Sequence, residues 1–285
     1  MIWFVVALLV LALAALCWGV FEAGWVRLVE LEAPIPGLPE ELDGLRIAHI
    51  GDFHLGSHSR GRKAVAKAVD WVSERKPDLV LVSGDLLSRS RGEAELRRLM
   101  ERLENCFVVL GNHDFARSRD PFSQPSAVEE LEPATLLLDE ARSIRLRGKQ
   151  VQIVGVDPRT YDAREARPDR LADPEAALRI CLCHFPGIAE RLPAQSFDLI
   201  CAGHLHDGQI ALPYPGGKIG LAHLRYRQGR GLLRRKGGLL HLSAGLGTTF
   251  VPFRFGARPE ATELTLRSQT SARSQASAQP EISSS

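Results

Sequence analysis

Three stretches decide the fold: LRIAHIGDFH (Leu45–His54), DLVLVSGD (Asp78–Asp85) and CFVVLGNHD (Cys106–Asp114). Each is a short apolar run that ends at or near glycine and continues into Asp, His or Asn. Runs of this length bounded by a turn residue read as buried strands. Between the first two, Val65, Ala68, Val69 and Val72 recur at helical spacing, which predicts a helix over 61–76 ended by Pro77. Between the second and third, Leu96, Leu99, Met100 and Leu103 predict another over 93–104. Strand, helix, strand, helix, strand at this spacing is the pattern of parallel crossover units, so the class is α/β. A polar stretch rich in Pro and Ser (118–133) leads into further strands at 135–138, 143–146, 151–156, 178–183, 197–202, 238–243 and 263–266, with a hairpin turn at Arg147-Gly148-Lys149. From Ser268 onward apolar residues almost vanish, and a disordered tail is expected over 268–285.

Metal-ligand residue types sit just past the C-terminal ends of these strands, where open α/β sheets place their ligand crevices. Asp52 and His54 follow the first strand, Asp85 the second, and Asn112, His113 and Asp114 the third; His184 follows a later strand, and His204 and His206 another. One histidine beside an apolar run is ordinarily structural. Five of the chain's nine histidines in register with strand ends are not explained that way. Carboxylate, imidazole and amide oxygen together suit Mn²⁺, Fe or Zn²⁺, whereas a purely oxygen shell suits Mg²⁺ or Ca²⁺. The other histidines, His49, His58, His223 and His241, read as structural or surface groups.

The ordered set D-x-H, G-D, G-N-H-D, H and G-H-x-H resembles the signature of the calcineurin-like metallophosphoesterase superfamily over about residues 44 to 267. GHLHDGQI (Gly203–Ile210) and AGLGTTFVPFRFGARPE (Ala244–Glu260) resemble its membrane-associated bacterial phosphodiesterase branch. The resemblance implies a four-layer α/β/β/α sandwich with two mixed sheets and two divalent metal ions, manganese foremost, with iron or zinc as alternatives. It implies that Asp52, His54 and His206 hold one ion, that Asn112, His184 and His204 hold the other, and that Asp85 bridges both. Hydrolysis then proceeds by in-line attack of a metal-bound hydroxide, with His113 as the catalytic residue that protonates the leaving oxygen. Asp114 either orients His113 or caps the next turn. Many relatives carry an acid where Ser88 stands, which weakens the expectation of a carboxylate-polarised His113. Gly51 and Leu205 replace Ser and Thr common in relatives, and neither position supplies a ligand.

The 285 residues are 45% hydrophobic and 25% charged, which excludes disordered, collagen-like and disulfide-dense classes. Met1 to Phe21 contains no charged residue and is long enough to span a bilayer. A cleaved signal peptide would want basic residues before a shorter apolar run, so an uncleaved anchor over 1–21 is expected, then a linker over 22–43 and the domain over 44–267. Trp18 and Trp25 bracket the exit of the span. Cys106, Cys181, Cys183 and Cys201 lie in apolar runs and read as buried thiols, which leans toward a reducing compartment and a cytoplasmic domain.

The net charge of +2 hides a strong asymmetry: nine Lys and Arg and no acid lie between Asp207 and Glu260. That stretch is either a solvated basic face or a surface for an anionic substrate or headgroup. No nucleic-acid module is recognisable, and no nucleic-acid partner is expected. The expected partners are the lipid bilayer and a phosphate-containing, lipid-linked substrate. Some membrane-associated relatives cleave UDP-2,3-diacylglucosamine in lipid A synthesis, and that reaction is the specific expectation. The alternatives are a generic phosphodiesterase acting on another phospholipid or nucleotide, and a catalytically silent membrane sensor or scaffold.

Overall fold

The structure, a computed structural model, describes residues 1–115, 120–121, 123–124, 128, 130–215, 217–224, 226 and 228–268. Apart from Ser268, the expected disordered tail lies outside the described residues, as does part of the polar stretch at 118–133. The first sheet contains β1 (Arg27–Ile35), β2 (Arg46–Ile50), β3 (Leu79–Val82), β4 (Cys106–Val108), β5 (Thr135–Leu136) and β14 (Glu260–Ser268), in the order β1-β14-β2-β3-β4-β5. The second contains β6 (Ala141–Leu146), β7 (Lys149–Gly155), β8 (Leu178–Leu182), β9 (Leu199–Ala202), β12 (Gly231–Arg235) and β13 (Gly238–Leu242), in the order β12-β13-β9-β8-β7-β6. Both sheets mix parallel and antiparallel pairs. A separate hairpin, β10 (Ala211–Tyr214) and β11 (Gly217–Gly220), stands outside them.

Strand alternation sorts the apolar residues into three layers. Ala48, Ile50, Val80 and Val82 face α2 (Gly61–Arg75) and α3 (Glu93–Met100), meeting Val65, Val69, Leu96 and Met100. Their strand neighbours Ile47, Leu79 and Leu81 face the second sheet and meet Ile153, Ile180 and Leu199. On the far side, Cys181, Ile200 and Leu240 pack under α4 (Pro158–Ala163) and α5 (Ile188–Arg191), against Tyr161, Ile188 and Leu192. Helices, sheet, sheet and helices give the four layers expected. Cys106, Cys181, Cys183 and Cys201 are buried free thiols. The β6–β7 turn places Arg147 and Gly148 at φ 49° and 78°, the two left-handed residues that a tight hairpin turn uses.

Three expectations need correction. The stretch 22–43 is not a linker: β1 pairs parallel with β14 along its whole length, and Ala33, Ile35, Leu38 and Leu42 enter the core between the sheets. Its alternation turns Val29, Leu31, Ala33 and Ile35 inward and Glu30 and Glu32 outward. The second helix ends at Met100 rather than 104, because the chain turns there to bury Leu103. The basic stretch between Asp207 and Glu260 also holds β10, β11 and β12, none of which was expected.

α1 (Ile2–Glu22) is long and apolar enough to cross a membrane. Its last turn is part of the domain: Arg254 N donates to Gly19 O at 3.0 Å, and Ala257 N donates to Glu22 Oε1 at 2.9 Å. The register Arg27↔Glu260 and Thr262↔His49 puts the start of β1, and so the exit of α1, at the end of the sheet where β2 finishes.

Candidate dinuclear metal centre

At that same end the parallel strands β2 and β3 of the first sheet, and β8 and β9 of the second, deliver their following residues into one crevice. Asp52, His54, Asp85, His204 and His206 all have φ between 48° and 74°. Left-handed backbone is uncommon for residues with side chains, although Asp and His tolerate it best, and it costs on the order of 1–3 kcal/mol per residue. The strain turns successive ligands to one side at abrupt strand ends. Glycines clear the space they occupy: a Cβ on Gly111 would lie 2.0 Å from Asp85 Oδ1, and one on Gly203 would lie 2.4 Å from Asp52 Oδ2.

Two groups form around a shared carboxylate. Asp52, His54, Asp85 and His206 bring their ligand atoms together in one buried group, and Asp85, His184 and His204 form the other. In the first, His54 Nε2 lies 3.2 Å from His206 Nε2, and His206 Nε2 lies 3.6 Å from Asp52 Oδ1. In the second, His184 Nε2 is 3.0 Å from Asn112 Oδ1 and 3.1 Å from His204 Nδ1. Asp85 Oδ2 sits between, 3.5 Å from His54 Nε2 and 3.3 Å from His184 Nε2. All seven side chains expected to hold metal are therefore brought together. His113 is beside them, with its ring edge-on to His54 at 4.6 Å, its backbone N–H donating to Asp85 Oδ1 at 2.9 Å and its Nδ1 3.1 Å from Ser123 Oγ.

The donor chemistry fits cations. His184 Nδ1 donates to Ser83 O at 2.9 Å, so in the neutral ring Nε2 carries a lone pair that faces the lone pairs of Asn112 Oδ1. Two acceptors facing each other need a cation or a proton between them. Burial pushes His184 down, but Asp85, Asp52 and Ser83 O outweigh it and lift it to about 9: the proton takes the place a metal would fill. Asp52 Oδ2 is buried without a hydrogen-bond partner, and burial, with Asp85 adding to it, raises Asp52 to about 7 against the pull of His184. Burial also pushes Asp85 up, yet His184, His113 and His54 around it hold it well below the usual carboxylate range. His54, His204 and His206 are driven low by burial and by neighbouring imidazoles, which keeps them neutral and able to ligate.

Several further residues support the candidate ligands. Asp114 accepts from Gly111 N, Leu86 N and Leu87 N, so it ties the loop carrying Asp85 to the loop carrying Asn112. Ser88 Oγ bonds His54 Nδ1 at 3.2 Å and sets the ring of that ligand. Arg254 is fully buried; it donates to the carbonyls of Ala244, Gly247 and Ala257 and sets Nη2 3.1 Å from His206 Nδ1. Phe185 lies edge-on to both His184 and His204 and stacks on Tyr161 at 4.6 Å. A cavity of 190 Å³, lined by Ser88, Arg89, Asp120, Phe250, Val251 and Pro252 among others, reaches Ser88, which bonds His54.

The basic stretch is neither wholly solvated nor free. Lys218 and Arg230 pair with Asp207, Arg230 also pairs with Glu260, and Arg258 lies over the Trp25 ring at 3.7 Å. The two acids that bound the stretch in sequence thus anchor it in space. Arg225 and Arg227 lie outside the described residues. His223 borders the centre, with its ring 4.8 Å from that of His204. His58 is exposed and hydrogen-bonded to Arg91, whereas His49 and His241 are buried between the sheets.

Residues 45–208 match the family model described as calcineurin-like phosphoesterase. The chain is 31% identical over 282 residues to the transmembrane protein with metallophosphoesterase domain of Danio rerio, covering 92% of this chain and 62% of that protein's length. It is 28% identical over 233 residues to metallophosphoesterase YkoQ of Bacillus subtilis, covering 79% and 84% of the two chains. It is also 26% identical over 311 residues to UDP-2,3-diacylglucosamine pyrophosphatase LpxG of Chlamydia trachomatis, covering 88% and 93%.

Proposed function

From the premise that this chain belongs to the calcineurin-like phosphoesterases, we propose that it is a membrane-anchored hydrolase of a phosphodiester or pyrophosphate bond in a lipid-linked substrate. The observation that carries this is the convergence of two ligand groups on one buried carboxylate, Asp85. In this reading Asp52, His54 and His206 hold one ion, Asn112, His184 and His204 the other, and Asp85 both. Manganese suits the mixed donors best, with iron or zinc as alternatives. Two bound divalent cations would lower the pKa of a water and clamp the phosphoryl oxygens. His113, held by Asp85 and Ser123, delivers a proton from Nε2 to the leaving oxygen. Asp114 keeps the two loops in register, and Arg254 holds the loop of His206.

Three observations support a lipid-linked substrate, with UDP-2,3-diacylglucosamine as the specific candidate. The exit of α1 and the metal centre share one end of the sheet. A cavity whose wall includes Phe250, Val251 and Pro252, with Arg89 and Asp120 also lining it, reaches Ser88, the hydrogen-bond partner of His54. A relative similar over most of both chains bears the name of that pyrophosphatase. The free thiols of Cys106, Cys181, Cys183 and Cys201 support a cytoplasmic domain.

The test uses the full chain in phosphatidylcholine nanodiscs, stripped of metal and then given Mn²⁺, Zn²⁺ or Mg²⁺, with bis(p-nitrophenyl) phosphate and UDP-2,3-diacylglucosamine as substrates. Metal-dependent UMP release that is lost in Asp85→Ala is expected. Cleavage of the aryl ester alone would reject the lipid substrate and keep the reaction class. No hydrolysis with any metal would reject the enzymatic reading in favour of a silent sensor.

A further inference from the structure

Outside α1 and its N-cap Met1, and among the described residues, ten large apolar side chains are exposed. Six of them, Leu212, Tyr214, Ile219, Leu221, Leu224 and Tyr226, fall in the sixteen residues of the β10–β11 hairpin and the loop behind it, each 45–70% exposed. A soluble surface scatters such residues singly; a cluster of this density marks an interaction surface. Leu212 and Ile219 are directly paired across the hairpin, so their exposure belongs to its regular structure.

The placement of the hairpin says what it meets. At its base Ala211 N donates to Phe255 O at 2.7 Å, and the Phe255 ring lies so close to α1 that a Cβ on Gly19 would be 2.5 Å from it. At its far side the chain returns to put His223 against the metal-ligand candidate His204. The hairpin therefore stands between the exit of α1 and the mouth of the metal centre. Trp25 and Leu28, two more of the ten exposed groups, sit where α1 leaves, and Trp18, Phe21 and Trp25 pack together as an aromatic collar. Because Gly19 and Glu22 are bonded to Arg254 and Ala257, α1 cannot swing the domain away from the surface it leaves. Apolar side chains with tyrosines in a stretch that carries cations and no acid match the headgroup–acyl boundary of a bilayer.

We propose that the described residues from Ala211 to Tyr226 form a second membrane contact, seated in the interface of the bilayer that α1 crosses. The mouth of the metal centre is then held against the lipid headgroups, and a lipid-linked phosphate reaches it without leaving the membrane. This rests on the reading of α1 as a span.

The experiment places an environment-sensitive NBD probe on single cysteines in the full-length Cys17→Ala background, where the remaining thiols are buried. The sites are Leu9→Cys in α1, Ile219→Cys and Leu224→Cys in the hairpin, and exposed Glu40→Cys at the opposite end of the sheet. Each is read in phosphatidylcholine nanodiscs with and without 5-doxyl phosphatidylcholine. An interfacial segment sits about 5–10 Å deep, so hairpin emission is expected to fall to about half or less with the doxyl lipid, while Glu40→Cys is unchanged. Quenching at Leu9→Cys with hairpin probes as bright as Glu40→Cys would overturn the second contact and leave the span intact. No quenching at Leu9→Cys would overturn the span and the inference with it. Self-quenching of hairpin probes between labelled copies in lipid-free detergent would assign the patch to a contact between chains and overturn the inference.

Discussion

His49 and His241 should make this protein acid-labile independently of its metal centre. His49 lies on β2 beside Ile47 and His241 on β13 beside Leu239, so both face the core between the sheets, and their Nδ1 atoms meet at 2.6 Å. One ring donates and the other accepts, and both Nε2 atoms lack a hydrogen-bond partner. Both rings are 0% exposed. Burial drives His241 down to about 3, and burial together with His241 drives His49 well below its ordinary value. The unfolded chain, titrating near about 6.5, then binds more protons than the folded one, so stability is full above that value and falls as pH falls toward the folded pKa. Between pH 8 and pH 5 His241 alone contributes a loss of about 2 kcal/mol, and a second ring behaving alike brings it to about 4 kcal/mol. The perturbation is the double variant His49→Leu/His241→Leu, which removes both polar groups for aliphatic ones of similar bulk. Urea unfolding of the full chain in detergent with chelator, at both pH values, gives the comparison. The candidate ligand histidines, His54 and His206 among them, contribute to both proteins and cancel. Wild type should lose about 2–4 kcal/mol more than the variant. Equal losses in the two would refute a buried neutral pair.

Two further changes test how the centre is built. Gly111→Ala forces Asp85 aside, since the new Cβ would lie 2.0 Å from Oδ1; displacement of the proposed bridging ligand by about 1 Å predicts a rate loss on the order of 10²-fold or more, with bound metal measured by atomic emission falling below that of wild type. Arg254→Met strands the carbonyls of Ala244, Gly247 and Ala257 in the core, and should cost about 3–5 kcal/mol, seen as a melting temperature lower by about 10 °C. Arg254→Lys should recover little of it, because an ammonium cannot reach several carbonyls at once in the guanidinium's planar fork.

Asp52, His54, Asp85, Asn112, His184, His204 and His206 were legible because each follows a short apolar run, and a parallel sheet brings the ends of such runs together whatever their separation along the chain. The left-handed backbone at five of them was not legible, since Asp and His occur as readily in ordinary conformations. β1 carries a clean alternation, but its partner β14 lies more than 200 residues away, and the acids and prolines around it read as linker. Arg254 stood among nine cations that composition alone cannot divide into exposed and buried. The consequence is largest at α1. An apolar helix followed by a polar stretch reads as a tether, which would leave the domain free to tumble above the bilayer. Instead Gly19 O accepts from the backbone of Arg254, whose guanidinium reaches the loop of His206. One residue therefore links α1 to a metal-ligand candidate, and the direction in which the crevice faces is set by the same contacts that hold α1.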